Sequence, residues 1–499
     1  MLGKQRAGAA TAAGPAAAGG GAPSAFRDGI TWAIAGTVFG AYLTLSLFRL
    51  LTLSPMSWDL GIFTEYVKQY ADLNAPVVDV RGAGFDLLGD HFQPIVALIA
   101  PFFRVFPSPT TLLVAQALLT AVSVFPVVQA GFALLGPGRG SGRAVGLAYG
   151  FSWGLQQMID FDFHEIAFAV PLLAFSLSAF VRGRWRSCVL WALPLVFVKE
   201  DQGFTVAALG LLMLAVGWRA RDASRARGGI LLVAWGLAWS LLAITVIIPH
   251  FNPQHDYYYW KDGGVAGGSG GPFSLPGLLA QPFHGWAEKL QTSVLLLLPT
   301  AFIALGSPVA LVTLPSIALR FFSTNNSYWG TVWHYNATVM PILFLAAVEV
   351  LGRWRRASPE VPDGFRAHVR TAAARHGPAM MVAAACAFAF QFSLGDLWHG
   401  STYQITPRVS ADEAAMARVP DGATVQTTLD LLAPLAARTD TFWIGNPRNP
   451  PTQYIVFDGL NSDYSPAPAD VPAFIRQLFP KDGYRQVFTA DDVYVFKRG

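Results

Sequence analysis

The sequence predicts an all-α polytopic membrane bundle of about eleven transmembrane helices, followed by a small C-terminal extracytoplasmic α/β domain. Of its 499 residues, 53% are hydrophobic and only 13% are charged, whereas a soluble domain carries about 25% charged residues. Long apolar runs alternate with short loops, several of them rich in arginine. After residue 395 the pattern changes to short strands and amphipathic helices, which indicates a separate, water-exposed unit.

The chain begins with a segment rich in Ala, Gly and Pro, and we predict a disordered cytoplasmic tail over residues 1–28. No apolar run closely follows its basic start, so it does not have the pattern of a signal peptide. The two cysteines, Cys188 and Cys386, lie in apolar stretches, which makes a disulfide framework an unfavoured interpretation. The net charge of +4 fits arginines in cytoplasmic loops and not nucleic-acid binding.

Arginines set the expected orientation, because short cytoplasmic loops are enriched in them. Four such loops lie at 139–143, 182–186, 219–227 and 353–375. With these inside, the N-terminus is cytoplasmic, a transmembrane domain covers 29–395 with an outer loop at 52–108, and an outer domain covers 396–499. The predicted spans are 30–51, 109–136, 145–160, 166–181, 187–199, 203–218, 229–249, 291–306, 308–322, 338–352 and 378–395.

Two further segments have recognisable patterns. The short apolar run 94–106 carries Arg104 and is predicted to lie as a helix at the outer interface; a further span there would change the count. In the C-terminal domain, strands are predicted at 423–430, 441–445, 453–459 and 492–498, and a helix at 470–479 begins after Asp470 as its N-cap.

Acidic and histidine side chains concentrate in the predicted outer turns. The first outer loop holds Asp59 and Glu65 in SWDLGIFTEY and Asp90 and His91 in GDHFQP. Asp59 could instead be a plain helix N-cap. The turn FDFHE (161–165) adds Asp162, His164 and Glu165, and ionisable groups near membrane depth usually face a cavity, pair with one another or carry function. The structural alternative is pairing with a recessed Lys or Arg.

The turn KEDQG (199–203) is expected to be recessed, because residues 187–218 must supply two crossings and a turn while rising only about 48 Å as helix. Lys199 could simply neutralise Glu200 or Asp201, or it could meet a phosphate. The segment WHYN adds His334, Tyr335 and Asn336, which suit a sugar or phosphate but also an aromatic belt at the interface. The basic loops alone place all these turns on one face.

Five segments together resemble a functionally uncharacterised family of bacterial multi-spanning membrane proteins. They are SWDLGIFTEYV, DHFQPIVALIAPFFRVFPSPTTLLVAQALL, FDFHEIAFAVPLLAF, VKEDQGF and WHYNATVMPILF, and the resemblance runs from about residue 57 to the C-terminus. That family is similar to the GT-C superfamily of polyprenyl-phosphate-sugar-dependent glycosyltransferases, whose signature acid lies in the first outer loop. Asp59 occupies this position. Leu60 follows it, so the tandem acidic pair of some GT-C enzymes is absent, which bears on metal use at Asp59.

The resemblance implies an inverting membrane glycosyltransferase of the bacterial plasma membrane. It would move a sugar from a polyprenyl-phosphate donor to a glycan, lipid or protein of the cell envelope. Asp59 is then the expected general base, with Glu65 as a second catalytic candidate. The implied metal ligands, for Mg²⁺ or Mn²⁺, are Asp90, His91, His164 and Glu165, and the implied substrate-binding residues are Lys199, Glu200, Asp201, His334, Tyr335 and Asn336.

Two other classes of function remain open at this stage. Buried acids and histidines also form proton relays in transporters and lipid flippases, although no pair of similar halves is evident in the sequence. A non-catalytic envelope assembly protein would bind a partner through its outer domain. In that case the charged side chains should be paired with one another and leave no cavity.

Overall fold

The structure is a computed structural model, and it describes residues 23–55, 57–136, 138–261, 275–357, 364–460, 464 and 466–499. It is mostly helical, with one small sheet near the C-terminus, which confirms the predicted fold class. Residues 1–22 of the predicted tail lie outside the described residues. Within that tail, however, Ala25 is fully buried and Asp28 caps the first helix while pairing with Arg139 and Arg143. These contacts order the end of the tail.

The helices follow one another closely along the chain. Their bounds are Gly29–Leu51, Asp59–Ala71, Ala100–Val105, Pro109–Val122, Val124–Leu134, Arg139–Gly150, Trp153–Asp160, Ala169–Val181, Trp185–Ala192, Gln202–Ala220, Ala223–Leu242, Ile248–Phe251, Tyr258–Lys261, Leu275–Ala280, Trp286–Leu297, Leu314–Phe321, Val339–Ala357, Phe365–Gln391, Pro407–Met416, Leu432–Ala436 and Val471–Leu478.

Every predicted span coincides with a helical segment, but only some of these helices are long. Among the described residues, five are long and apolar enough to cross a membrane: Gly29–Leu51, Pro109–Leu134, Gln202–Ala220, Ala223–Phe251 and His334–Ala357. The others are shorter or broken. Near residue 300, for example, Pro299 lies in a short 3₁₀ turn and Ala301 and Phe302 adopt left-handed backbone. Proline lacks the N–H that a continuous helix needs.

The predicted interfacial segment is helical over Pro94–Val105. Leu98, Phe102 and Val105 are exposed along it. Large apolar side chains in such a row are expected where a helix lies in the boundary of a bilayer. The side of the membrane on which this helix lies is still a prediction. The same is true of the side on which each terminus lies.

The C-terminal sheet has five strands: β1 (Thr424–Thr427), β2 (Asp440–Trp443), β3 (Tyr454–Asp458), β4 (Tyr484–Ala490) and β5 (Val493–Arg498), in the order β2-β1-β3-β5-β4. β1 is parallel to β2 and β3, and β5 is antiparallel to β3 and β4. Four of the strands were predicted. β4 was not, because it is largely exposed and lacks a buried apolar row. Asp470 caps the last helix as predicted, accepting a hydrogen bond from Ala473 N at 2.8 Å.

This C-terminal unit packs on the helix that begins at Asp59. A Cβ added at Gly61 would lie 2.9 Å from Leu432 Cβ, so the two helices nearly touch. Lys68 Nζ donates to the Thr439 carbonyl at 2.7 Å, and the rings of Trp58 and Trp443 lie 4.7 Å apart. The sheet unit therefore holds the helix of the first loop in place against the bundle.

Candidate functional site

A cavity of about 410 Å³ lies where the first loop, the turns near residues 162 and 200 and the segment near 334 meet. It gathers ten of the twelve side chains that the sequence suggested for the site. These are Asp59, Asp90, His91, His164, Glu165, Lys199, Glu200, Asp201, His334 and Tyr335. Segments more than 270 residues apart in the chain thus come together, as their shared predicted face required.

Asp59 is the first residue of its helix, and Trp58 is the N-cap, so the plain N-cap interpretation is wrong. Ser57 Oγ donates to Asp59 Oδ2 at 2.6 Å. Among the described residues, no Lys, Arg or His nitrogen lies within 4.0 Å of this carboxylate. Asp59 lies in the first turn of its helix, where the backbone N–H groups carry partial positive charge.

Glu165 is the centre of the first charged group. His164 Nδ1 lies 2.6 Å from Oε2, and Lys199 Nζ lies 3.1 Å from Oε1. Adjacent side chains can meet here because Asp162 is left-handed and His164 extended, which breaks the helix. Lys199 therefore neutralises Glu165, and the interpretation that it pairs with Glu200 or Asp201 is wrong. Asp162 also lies 3.8 Å from Arg49 Nε, which matches the structural pairing considered for this turn.

Glu200 is the centre of the second charged group. It accepts hydrogen bonds from the Tyr257 hydroxyl at 2.9 Å and the Phe92 N–H at 3.1 Å, and His91 Nδ1 lies 2.7 Å away. Burial lowers the pKa of His91. The negative charge of Glu200 and the hydrogen bond between the two side chains raise this pKa by more than burial lowers it, so the pKa lies above its ordinary value. The imidazolium form is therefore favoured.

Asp90 faces a different partner at the rim of the cavity. Its Oδ2 lies 3.3 Å from Arg81 Nε, and the Tyr259 hydroxyl donates to Oδ1 at 3.2 Å. Arg81 also lines the cavity, and the sequence did not single it out. The one available signal was an arginine nine residues before Asp90, in a glycine-rich turn of the same loop.

The segment WHYN contributes unequally. The His334 ring stacks on His164 with centroids 3.5 Å apart, and Tyr335 lines the cavity. Asn336 does not; its Oδ1 accepts from Arg320 Nη1 at 2.8 Å. Arg320, another cavity residue missed from the sequence, also donates to the Tyr328 and Gly330 carbonyls. Asn336 and Arg320 together fix the shape of this turn.

Glu65 is the other predicted site residue that the cavity leaves out. It is buried, and its Oε2 accepts from the Val80 N–H at 3.0 Å. Burial raises the pKa of Glu65 to about 8, so the carboxyl group stays protonated at neutral pH. It lies six residues after Asp59, so helical periodicity turns it away from the cavity face. The structure gives Glu65 the role of holding the first loop in place.

The proposed metal ligands do not converge. Asp90 is bound to Arg81 and Tyr259, His91 to Glu200, and Glu165 to His164 and Lys199. Among the residues that the structure describes, these four do not form a group whose ligand atoms approach one another as closely as a shared ion requires. The donors present therefore do not fit the predicted Mg²⁺ or Mn²⁺ site.

The fold and the site define the class of the protein as a polytopic helical membrane protein with a charged cavity at one end of the bundle. Residues 49–483 match the family model DUF2079, described as a predicted membrane protein, and the chain belongs to this family. No curated protein sequence matches it.

Two solved structures are similar over nearly the whole chain. One is ArnT from Cupriavidus metallidurans bound to undecaprenyl phosphate, with a TM-score of 0.54 and 14% identity, covering 95% of this chain and 98% of ArnT. The other is the same protein in the apo state, with a TM-score of 0.51 and 13% identity, covering 94% and 97%. At this identity the similarity shows the fold, which is the GT-C-like fold that the resemblance predicted.

Proposed function

We propose that the protein is an inverting membrane glycosyltransferase that moves a sugar from a polyprenyl-phosphate donor to an acceptor of the cell envelope. One observation carries the proposal: ten predicted residues from five separate segments line one cavity. The likeness of fold to a protein crystallised with undecaprenyl phosphate supports a lipid-phosphate donor of that kind. A cavity of this size around Asp59 counts against a purely structural role for the charged side chains.

Asp59 is the proposed general base. It would accept the proton of the acceptor hydroxyl as that oxygen attacks the anomeric carbon. The bond from this carbon to the phosphate oxygen breaks on the opposite face, its electron pair goes to that oxygen, and polyprenyl phosphate leaves. Among the cavity acids, Asp59 is suited to this role because it has no cationic partner among the described residues and lies at a helix N-terminus.

Asp201 is the rival carboxylate. It lines the same cavity, and its Oδ1 accepts a hydrogen bond from Gln202 Nε2 at 3.1 Å. Burial raises the pKa of Asp201 above its ordinary value, which favours the protonated form. A base must be ionised before the reaction, so this environment suits Asp201 less well than Asp59.

The departing phosphate requires positive charge. Lys199 carries three N–H donors, and Glu165 Oε1 accepts from one of them. Arg81 at the rim has a planar guanidinium that suits phosphate, and Asp90 contacts only its Nε. We therefore assign the donor phosphate to the space between Lys199 and Arg81. No step in this scheme uses a metal ion.

The test is transfer activity in vesicles, with a panel of polyprenyl-phosphate sugars and release of polyprenyl phosphate measured by mass spectrometry. Asp59→Asn should lower the rate at least 100-fold, the usual contribution of a general base. Asp72→Asn, an exposed position just after the same helix, should not change it. Full activity in Asp59→Asn together with loss in Asp201→Asn would transfer the base role to Asp201. Counterflow of labelled lipid without covalent product would replace transfer by transport.

A further inference from the structure

Three aspartates form a second buried acidic cluster, in the C-terminal unit and outside the cavity. Asp412, Asp430 and Asp458 each offer a carboxylate oxygen, and these oxygens lie within 4.8 Å of one another. All three residues are buried. We call this group the aspartate cluster. Nothing in the proposed transfer reaction uses it.

The sheet explains why these residues meet. Asp458 ends β3, and Asp430 follows the end of β1, the parallel neighbour of β3, so both lie at the same edge. Asp412 lies on the helix Pro407–Met416, which packs on the sheet. The tight turn between β4 and β5 brings a fourth acid, Asp491, to this edge, since Val493 pairs with Asp458.

Among the described residues, the aspartate cluster is contacted by one cationic side chain and by several hydrogen-bond donors. Arg408 forms an ion pair with Asp458, and it is the cation among the described residues within ion-pair distance of the three carboxylates. Thr428 Oγ1 donates to Asp430, and Leu460 N–H donates to Asp458. Asp430 and Asp458 also share a side-chain hydrogen bond, and burial together with Asp458 raises the pKa of Asp430 well above its ordinary value. Carboxylates this close repel one another once they are ionised.

A separate observation points to a ligand. Asp412 is 2% exposed, yet its Oδ1 has no hydrogen-bond partner among the residues that the structure describes. A buried carboxylate oxygen without a partner costs free energy, and native structures rarely retain one without compensation. One carboxylate oxygen of Asp412 belongs to the close group, so this side chain faces the other two carboxyl groups.

We propose that the aspartate cluster binds a calcium ion that fastens the helix Pro407–Met416 to the edge of the sheet. The donors are all hard oxygens, which suit Ca²⁺ or Mg²⁺. Ca²⁺ takes six to eight oxygen ligands at about 2.3–2.6 Å in flexible geometry, whereas Mg²⁺ demands near-ideal octahedral geometry at about 2.0–2.1 Å. Calcium also accepts irregular geometry and additional water ligands.

The ion would act on the rest of the molecule through a short path. Asp430 lies two residues before the helix Leu432–Ala436, and Leu432 packs against Gly61 of the helix that carries Asp59. The site is thus structural, and it remains valid whether or not the cavity performs sugar transfer.

The experiment uses the purified full chain in detergent, stripped with EDTA and then titrated with CaCl₂. Saturating Ca²⁺ should raise Tm by several degrees, since a ligand that binds only the folded state stabilises it. Asp412→Asn should abolish the shift. The matched control is Glu413→Gln, an exposed acid next to it on the same helix, which should keep the full shift. Asp59→Asn should also keep it, which separates this site from the cavity.

Absence of a shift in the unchanged protein, or a full shift in Asp412→Asn, would overturn the proposal. A larger shift with MgCl₂ than with CaCl₂ would overturn the choice of ion. If Asp412→Asn does not fold, the proposal is tested by measuring the affinity of Asp491→Asn for Ca²⁺ by calorimetric titration. Asp491 has left-handed backbone, which asparagine also adopts readily, so this variant should fold. It should bind Ca²⁺ about threefold more weakly through lost long-range attraction; unchanged affinity would contradict the site.

Discussion

The cavity and the aspartate cluster are both buried acidic groups, but they balance charge in different ways. In the cavity, Glu165 pairs with Lys199 and also contacts His164, and Glu200 contacts His91. In the aspartate cluster, Arg408 pairs with Asp458, and the carboxyl groups of Asp430 and Asp458 are hydrogen-bonded to each other. The difference indicates that the region around the cavity can remain folded, and the cavity open, with cationic side chains that the protein itself supplies. The aspartate cluster instead requires a cation or protons from solution.

The largest effect should come from breaking a charge pair in the cavity. Lys199→Met leaves Glu165 buried with only His164, and loss of one partner of a buried pair costs about 3 kcal/mol or more. Thermal or denaturant unfolding in detergent measures the loss. The double variant Lys199→Met/Glu165→Gln should recover most of the stability, because it removes both charges. Equal destabilisation in the single and double variants would mean that the pair is not balanced as described.

A smaller effect should appear in the cluster when pH changes. Burial, with the nearby negative charge of Asp458, raises the pKa of Asp412 from 3.8 to about 7. Between these values the folded state binds more protons than the unfolded state, so stability is retained at low pH and lost as pH rises through 7.

In EDTA, Tm should therefore fall by a few degrees between pH 5.5 and 8.5. Asp412→Asn should flatten this part of the profile, and Glu413→Gln should leave it unchanged. Parallel profiles for Asp412→Asn and the unchanged protein would show that Asp412 does not carry the excess charge.

The smallest effect is expected at the rim of the cavity. Arg81→Gln removes a guanidinium that is already shared with Asp90 and about one-third exposed, so undecaprenyl phosphate should bind about tenfold more weakly. Arg104→Gln, an exposed arginine on the interfacial helix, is the control and should not change the affinity. Fluorescence titration with the lipid in detergent measures both. An equal loss in both variants would indicate non-specific attraction to the lipid.

Local patterns were sufficient for much of the fold. Apolar runs placed the helices, alternating residues placed four of five strands, and Asp470 marked the start of a helix. These features depend on neighbours within a few residues, so the sequence contains them directly. β4 lacked such a pattern. Turns around proline interrupt several apolar segments, so five helices among the described residues are long and apolar enough to cross a membrane and the others are shorter.

The sequence was sufficient to predict which residues form the site, but not which of them contact one another. Arginine-rich loops put five polar turns on one predicted face, and the structure brings ten of their residues to one cavity. Which charge meets which was not predictable: Lys199 pairs with Glu165 across 34 positions, not with its neighbours. Glu65 and Asn336 do not line the cavity; each accepts a hydrogen bond from a residue in another part of the fold, Val80 and Arg320 respectively.

The sequence by itself thus determined that the chain is a polytopic membrane protein with acids and histidines collected in one set of turns. Composition and periodicity act locally, and they fix this much. Only the tertiary structure decided the partners of each charge, the exclusion of Glu65 and the meeting of Asp412, Asp430 and Asp458. Those contacts join segments that are distant in the chain, and their energies depend on burial and on distances of a few ångströms, which no local pattern contains.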